Sequence, residues 1–388
     1  MTGQTTPSLN RLRVDQVGSL LRPQALVHAF ERHGAGGLDE GGLRLAQNEA
    51  VREVIARQEG AGLPVVTDGE YRRLNFQDSF ALAVTGYAAT PDTLQRQRDA
   101  GQGVQPLTRR ESGLHQPGPA VTNRRPAAER LQLVRNLPLE EFRFAQALTT
   151  RPVKVAIVGP DRISQRFAHE ESKAVYANMD AFLADVVVIQ RRMIQELVDA
   201  GCRYVQIDAP GYTAYVDTPS LARMEARGED PRANLGRSIE ADNAVIAGFP
   251  GVTFGIHICR GNERSMWHRE GAYDGIAEQL FSGLDHQRLL LEYDSERSGG
   301  FGPLRFVRPG AVAVLGLVTT KVGDLETQGA LVARIEQASR FLPLDQLALS
   351  PQCGFASGIL GNLLSEEQQW AKLELVVKTA GAVWGTVG

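Results

Sequence analysis

The 388-residue chain is poor in the features that mark a secreted, membrane or nucleic-acid-binding protein. It has three cysteines, an odd and small number for this length, which argues against a disulfide framework and for a reducing compartment. No apolar stretch approaches the roughly 20 residues a membrane helix needs. The opening Met1–Asn10 is polar and has no charged start leading into an apolar core, so no secretory signal is expected. A net charge of -3 without a dense basic stripe leaves no electrostatic footprint for a phosphate backbone. A cytoplasmic protein with neither nucleic acid nor membrane as partner is therefore expected. Charged residues make up 22% of the chain and hydrophobic ones 43%, enough apolar surface for a large core.

What the chain does have is alternation. Short apolar runs at Val14–Gly18, Pro64–Asp68, Val153–Val158, Tyr204–Asp208, Val252–Cys259, Leu289–Glu292, Ala313–Val318 and Leu347–Ser350 read as strands. Helical patterns such as Gly42–Glu59, Met179–Ala200, Arg237–Ala247, Tyr273–Phe281 and Leu325–Arg340 lie between them. Strands alternating with helices imply parallel pairing through right-handed crossovers. Eight such units close most economically into an α/β fold of the (β/α)8 TIM-barrel type, here a single domain over 1–388. The alternative is an open doubly wound sheet; against it, no Gly-x-Gly-x-x-Gly turn follows the first run, which continues Gly18-Ser19-Leu20-Leu21-Arg22-Pro23. One connection breaks the pattern. Residues 83–150, after the second run, are too long for a normal crossover and include the polar, Pro-rich run Arg109–Arg125. An insertion with ordered elements near the barrel mouth is expected there, a surface excursion without a role being the alternative.

In such a barrel the active site belongs at the C-terminal ends of the strands. Read in order, those ends are Gly18-Ser19, Asp68-Gly69-Glu70, Gly159-Pro160-Asp161, Asp208, His257 with Cys259, Glu292 with Asp294, Thr319-Thr320-Lys321 and Gln352-Cys353. Residues two apart in a strand share a face, so His257 and Cys259 can reach one ion together. Zinc usually takes four Cys, His or carboxylate ligands in a tetrahedron, and Glu292 and Cys353 stand at matching strand ends. His257, Cys259, Glu292 and Cys353 are therefore the expected metal ligands. The plain alternative is buried structural cysteines and a hydrogen-bonded histidine; the repeated strand-end placement, more than the residue types, argues against it. Cys202, beside Gly201 at a helix-to-strand junction, reads as structural.

Taken together, Val17-Gly18-Ser19, Asp68-Gly69-Glu70-Tyr71-Arg72-Arg73, Gln206-Ile207-Asp208, His257-Ile258-Cys259, Glu292 and Cys353-Gly354 resemble the catalytic domain of cobalamin-independent methionine synthase. The resemblance runs from about Val14 to Val387 and is to the short, single-barrel members, a group that includes the epoxyalkane:coenzyme M transferases and related uroporphyrinogen decarboxylase/methionine synthase-like barrels. It implies that His257, Cys259, Glu292 and Cys353 hold a catalytic Zn(2+) that binds a substrate thiol, with Glu292 as the labile ligand. A thiol of ordinary pKa, about 8.5, is mostly protonated at neutral pH, and zinc removes that proton while leaving the sulfur nucleophilic. The resemblance further implies that Glu70 and Asp208 bind the amino group of homocysteine and that the backbone at Gly18-Ser19 meets its carboxylate. From the residues alone, Glu70 reads equally as a salt-bridge partner of Arg72 or Arg73, and Asp208 as the cap of a turn.

The chain also departs from that family. Full-length synthases carry a histidine after the seventh strand that helps protonate the departing folate nitrogen, where this chain has Leu317-Val318-Thr319-Thr320-Lys321. Lys321 is the candidate replacement, as an acid if desolvation lowers its pKa or as a binder of an anionic donor. His115, His169, His268 and His286 stand at no expected strand end. Arg260-Gly261-Asn262 and Asp294–Gly300 are rim loops expected to shape the donor pocket, and Trp267 and Tyr293 are candidates for stacking or for core packing. The expected activity is zinc-dependent methyl transfer from a donor such as 5-methyltetrahydrofolate to a homocysteine-like thiol. The alternatives are a thiol attacking another electrophile such as an epoxide, and a non-catalytic zinc barrel, disfavoured because barrels are stable without metal. The partners are then a small-molecule thiol and a methyl or alkyl donor, and since barrels of this kind are often dimers a homodimer is compatible with the reading.

Overall fold

The computed structural model describes residues 9–88 and 124–388. Two antiparallel strands, β1 (Val84–Tyr87) and β2 (Ala127–Leu133), precede a parallel sheet of six. Those six are β3 (Lys154–Val158), β4 (Tyr204–Asp208), β5 (Thr253–Ile258), β6 (Arg288–Glu292), β7 (Val312–Val318) and β8 (Leu347–Pro351), neighbours in chain order throughout. Every residue of the six is buried, the pattern of strands covered on both faces. Helices Met179–Asp199, Pro231–Ile246, Ala277–Gly283 and Gln328–Ala338 supply crossovers, and Glu366–Trp384 closes the chain. Only the short 3-10 turns Glu296–Ser298 and Gly302–Phe306 stand between β6 and β7. The helix starts follow local chemistry: Asn178 accepts from Ala181 N, Asp230 precedes Pro231 and accepts from Arg232 N, and Ser365 forms a capping box with Gln368.

The first two expected strands take a different form. Val14 makes a single parallel bridge to Leu349 of β8, and Val66 a single parallel bridge to Val153, just before β3. Each segment is thus tied to an opposite edge of the six-stranded sheet, by Asp15 N to Leu349 O at 3.0 Å and by Lys154 N to Val66 O at 2.9 Å. Toward each other they use side chains: Gln16 Nε2 donates to Val65 O (3.3 Å) and Thr67 Oγ1 to Gly18 O (2.7 Å), joined by one backbone bond from Leu20 N to Gly69 O. Backbone bending explains the loss of a regular ladder, since Gly18, Gly69 and Glu70 have φ of 136°, 71° and 59°. The α/β class expected from the sequence is what the structure has, with six ladder strands and two bridged segments where eight strands were expected.

Within 83–150, the β1–β2 hairpin and helix Leu137–Gln146 are described, while residues 89–123, including His115 and most of the polar run, lie outside the described residues. The hairpin buries Val84, Ala127 and Leu131 against Phe167, Tyr176 and Phe182, and Phe76 packs on the same cluster. Among the described residues no helix is long and apolar enough to cross a membrane.

Candidate metal centre

His257 is the fifth residue of β5, Cys259 follows that strand, and Cys353 lies two residues beyond β8. Alternation within β5 aims both His257 and Cys259 to one side, and neighbouring chain ends bring Cys353 to meet them. Each of the three offers a ligand atom within 4.8 Å of the others, and all three are buried. His257 Nε2 lies 3.4 Å from Cys353 Sγ. Its Nδ1 is buried with no partner among the described residues. A tetrahedron with bonds of about 2.0–2.3 Å spaces its ligands by roughly 3.4–3.8 Å, so two thiols and an imidazole at this spacing could hold a metal ion. The thiols share a proton unequally. A hydrogen bond from Cys353, helped by His257, holds Cys259 well below the ordinary thiol range, and the same bond pushes Cys353 well above it.

Glu292, the last residue of β6, stands outside that group of three. Its Oε1 pairs with Arg297, while Oε2 accepts from Arg260 N at 2.7 Å and Gln352 Nε2 at 2.8 Å. Burial pushes its pKa up, but Arg297, Lys321 and Arg260 overcome that and hold it down to about 2. Its charge is nevertheless felt by His257 and by both cysteines.

The group opens on a cavity of about 140 Å³. Ser19, Glu70 and Asp208 line one side of it. Asp208 does not cap the turn that follows; its Oδ1 accepts from Gln206 Nε2 at 2.7 Å. Burial pushes its carboxyl up, against the pull of His257. Glu70 keeps the expected ion pair with Arg73, though only at long range and without a hydrogen bond. Arg72 donates to Asn48, Arg73 is committed to Glu141 through Nε (2.9 Å) and Nη2 (2.6 Å), and Arg73 Nη1 lies 3.6 Å from Glu70 Oε1. Both Glu70 oxygens are buried without a hydrogen bond among the described residues. Burial, with Asp208 and Asp68 adding to it against Arg73, pushes Glu70 up to about 8. Gly18 sits behind this wall at φ 136°, and Gly354 is required opposite it, since a Cβ there would lie 1.9 Å from Ser19 Oγ.

Lys321 is fully buried and donates to Gly261 O and Asn262 Oδ1, each at 3.0 Å, so it braces the loop after β5 rather than lining the cavity. That loop supplies residues that strand-end reasoning did not single out. His268 N and Arg269 N return to Arg260 O at 2.8 and 3.1 Å, which brings both side chains to the cavity wall beside Arg162. Gly261, at φ 99°, makes the return possible, because a Cβ there would meet His268 Cδ2 at 2.3 Å. The glycine after Arg260 was the available signal. Of the expected rim residues, Arg260, Gly261 and Asn262 line the cavity, whereas Arg297 from the loop after β6 turns inward to Glu292. Trp267 lies under the Arg297 guanidinium and Tyr293 packs on Tyr273 and Phe301, both away from the cavity. Cys202 is buried in the core, its Sγ near Tyr204 O, and burial pushes it up to about 12.

No family model matches the chain. It is 38% identical to the uncharacterized protein YxjG of Bacillus subtilis over 99% of this chain and all of that protein. It is 24% identical to a methionine synthase of Pyrococcus abyssi, over 95% of this chain and 91% of that one. Among solved structures, a putative vitamin-B12 independent methionine synthase from Listeria monocytogenes matches with a TM-score of 0.70 at 26% identity, covering 96% of this chain and 98% of that one. A B12-independent methionine synthase from Shewanella, solved with selenomethionine, matches with a TM-score of 0.68 at 18% identity over 96% and 97% of the two chains, a likeness of fold.

Proposed function

Since the chain belongs to the cobalamin-independent methionine synthase-like family, we propose that it is a zinc-dependent S-methyltransferase in which a homocysteine-like thiol attacks a methyl donor such as 5-methyltetrahydrofolate. In this reading residues 1–388 form one (β/α)8 barrel, closed by the Val14 and Val66 segments, with 83–150 as its insertion. The observation that carries the reading is the buried His257, Cys259 and Cys353 group facing a carboxylate pair, Glu70 and Asp208, across one cavity. Zinc held by His257, Cys259, Cys353 and Glu292 would deprotonate a bound thiol and keep its sulfur nucleophilic.

The remaining work falls to the chain. Glu70 has two buried acceptor oxygens without donors, and a substrate ammonium brings three donors and a positive charge to them. That charge draws Glu70 back toward its ionised form. Asp208, fixed by Gln206, shares the ammonium, and the Gly18-Ser19 backbone takes the carboxylate. Arg297, Gln352 and the Arg260 amide keep Glu292 anionic and in place. Lys321 stands at the family's proton-donor position but is spent on Gly261 O and Asn262 Oδ1 outside the cavity lining, so its part is to position that loop, while His268 is an imidazole on the cavity wall itself. The substrates are small molecules and the location cytoplasmic, and the reading is compatible with a homodimer.

Metal analysis of the full chain should find about one zinc, and calorimetry should find saturable L-homocysteine binding. Cys353→Ser should lose both. Asp208→Ala should keep the zinc and lose about 10–100-fold in homocysteine affinity, the value of one charge-assisted hydrogen bond. Unchanged zinc content in Cys353→Ser, or no homocysteine binding at millimolar concentration, sinks the reading.

A further inference from the structure

The cavity has a second charged wall, built from Arg162 and Arg269. Arg162 comes from the helical turn Pro160–Gln165 after β3, and Arg269 from the returning loop after β5. Arg269 is anchored through Nη1 to Pro210 O at 2.8 Å and through Nη2 to Gln165 Oε1 at 3.3 Å, leaving its buried Nε without a partner. Arg162 makes no hydrogen bond or ion pair with any described residue, and its Nε is also buried. The neighbouring carboxylate, Asp161, is engaged elsewhere, its Oδ1 accepting from Ser238 Oγ at 2.9 Å. Burial and the like charges of Arg269 and Arg166 draw Arg162 down to about 9, which leaves it protonated at neutral pH. Two half-buried guanidiniums side by side, with buried Nε donors unused and Asp161 as their shared carboxylate, are relieved when an anion is bound. The fork of a guanidinium matches carboxylate, phosphate and sulfonate oxygens two at a time.

We propose that Arg162 and Arg269 form an oxyanion subsite of this cavity, which takes a carboxylate, phosphate or sulfonate group carried by the alkyl donor. The assignment to the donor, which rests on the proposed function, comes from position. Arg162 and Arg269 line the same cavity as Cys259, Glu70 and Asp208. An amino acid carries its carboxylate on the same carbon as its amine, so the acceptor's carboxylate has to sit close to Glu70 and Asp208. In that reading the Gly18-Ser19 backbone takes the acceptor's carboxylate, which leaves the arginine pair to the other substrate.

The zinc-loaded full chain is titrated with inorganic phosphate by calorimetry, and its melting temperature is followed at the same concentrations. Saturable binding of one phosphate per chain, with a rise in melting temperature, is expected. Arg162→Gln removes a half-buried charge without a hydrogen-bond partner, so it should fold at least as stably as the parent while losing at least tenfold in phosphate affinity; Arg162→Lys should lose less. Zinc content and L-homocysteine affinity should stay at parent values in both variants. Absence of saturable phosphate binding, or equal affinity in Arg162→Gln, overturns the subsite. Phosphate that competes with homocysteine assigns the arginines to the acceptor's carboxylate and overturns the donor assignment. Phosphate binding that persists in a chain unable to bind zinc or homocysteine overturns the proposed function and leaves the subsite standing.

Discussion

Strand β4 connects two buried polar clusters of very different character. Near its start, Asp15, Lys154, Tyr204 and Arg288 fill the interior of the sheet. Asp15 Oδ1 accepts from Lys154 at 2.7 Å, and Oδ2 accepts from Tyr204 at 2.6 Å and from Arg288 Nε at 2.9 Å. Arg288 Nη2 and Lys154 spend their other donors on Leu12 O and Gln206 Oε1. Near the end of β4, the cavity holds Glu70 with neither oxygen hydrogen-bonded, together with His257 Nδ1 and Arg162 Nε in the same condition among the described residues. Burial would push Asp15 up, yet Lys154 and Arg288 hold it below the usual carboxylate range; burial, with Asp208 and Asp68, pushes Glu70 up to about 8 against the opposing pull of Arg73. Polar groups whose task is to hold the chain have been paired by the fold. Those at the C-terminal end have been left for a ligand to pair, at the expense of stability.

The difference can be broken from either side. Asp15→Ala leaves Lys154 and Arg288 buried without their anion and should destabilise by about 3–5 kcal/mol in denaturant unfolding. A loss below about 1 kcal/mol would remove the distinction between the two clusters. Gly354→Ala brings a Cβ to 1.9 Å from Ser19 Oγ and 3.2 Å from Ser19 O, so Ser19 has to shift. A destabilisation of about 1–3 kcal/mol with weakened homocysteine binding is expected, measured by thermal melting and calorimetry. Parent-like values for both would show that Ser19 is not held against the cavity.

Glu70→Gln should show the smallest effect and the opposite sign. Because the folded state raises Glu70 from 4.5 to about 8, the fold favours its protonated form. That contribution is complete below about pH 4.5 and is lost as pH rises toward 8. The variant should therefore match the parent near pH 4 and melt higher at pH 8, by on the order of 2–4 °C. A melting curve at pH 8 no higher than the parent's would mean that Glu70 is satisfied in the apo fold.

Much of this layout could be read along the chain. Six of the eight apolar runs are ladder strands close to their expected positions, because a strand buried on both faces must be apolar along its whole length. His257, Cys259 and Cys353 were legible for a related reason: strand ends in this architecture converge, and few residue types bind metal there. The Val14 and Pro64 runs were visible as apolar segments, but their reduction to single bridges depends on the turns at Gly18, Gly69 and Glu70 and on Gln16 and Thr67 bonding across. His268 and Arg269 carried no signal beyond the glycine after Arg260, since no periodicity records where that loop folds back, and Arg162 carried none.

The sequence by itself therefore determined the α/β alternation, the order of the strands and the convergence of His257, Cys259 and Cys353, all of which follow from short-range periodicity and residue chemistry. Tertiary structure alone decided that Glu292 faces Arg297 and Gln352, that Lys321 braces a loop, and that Arg73 hydrogen-bonds Glu141 and gives Glu70 only a long ion pair. Those outcomes turn on which of several competing partners comes within hydrogen-bonding distance, about 3 Å, and packing of the whole chain settles that.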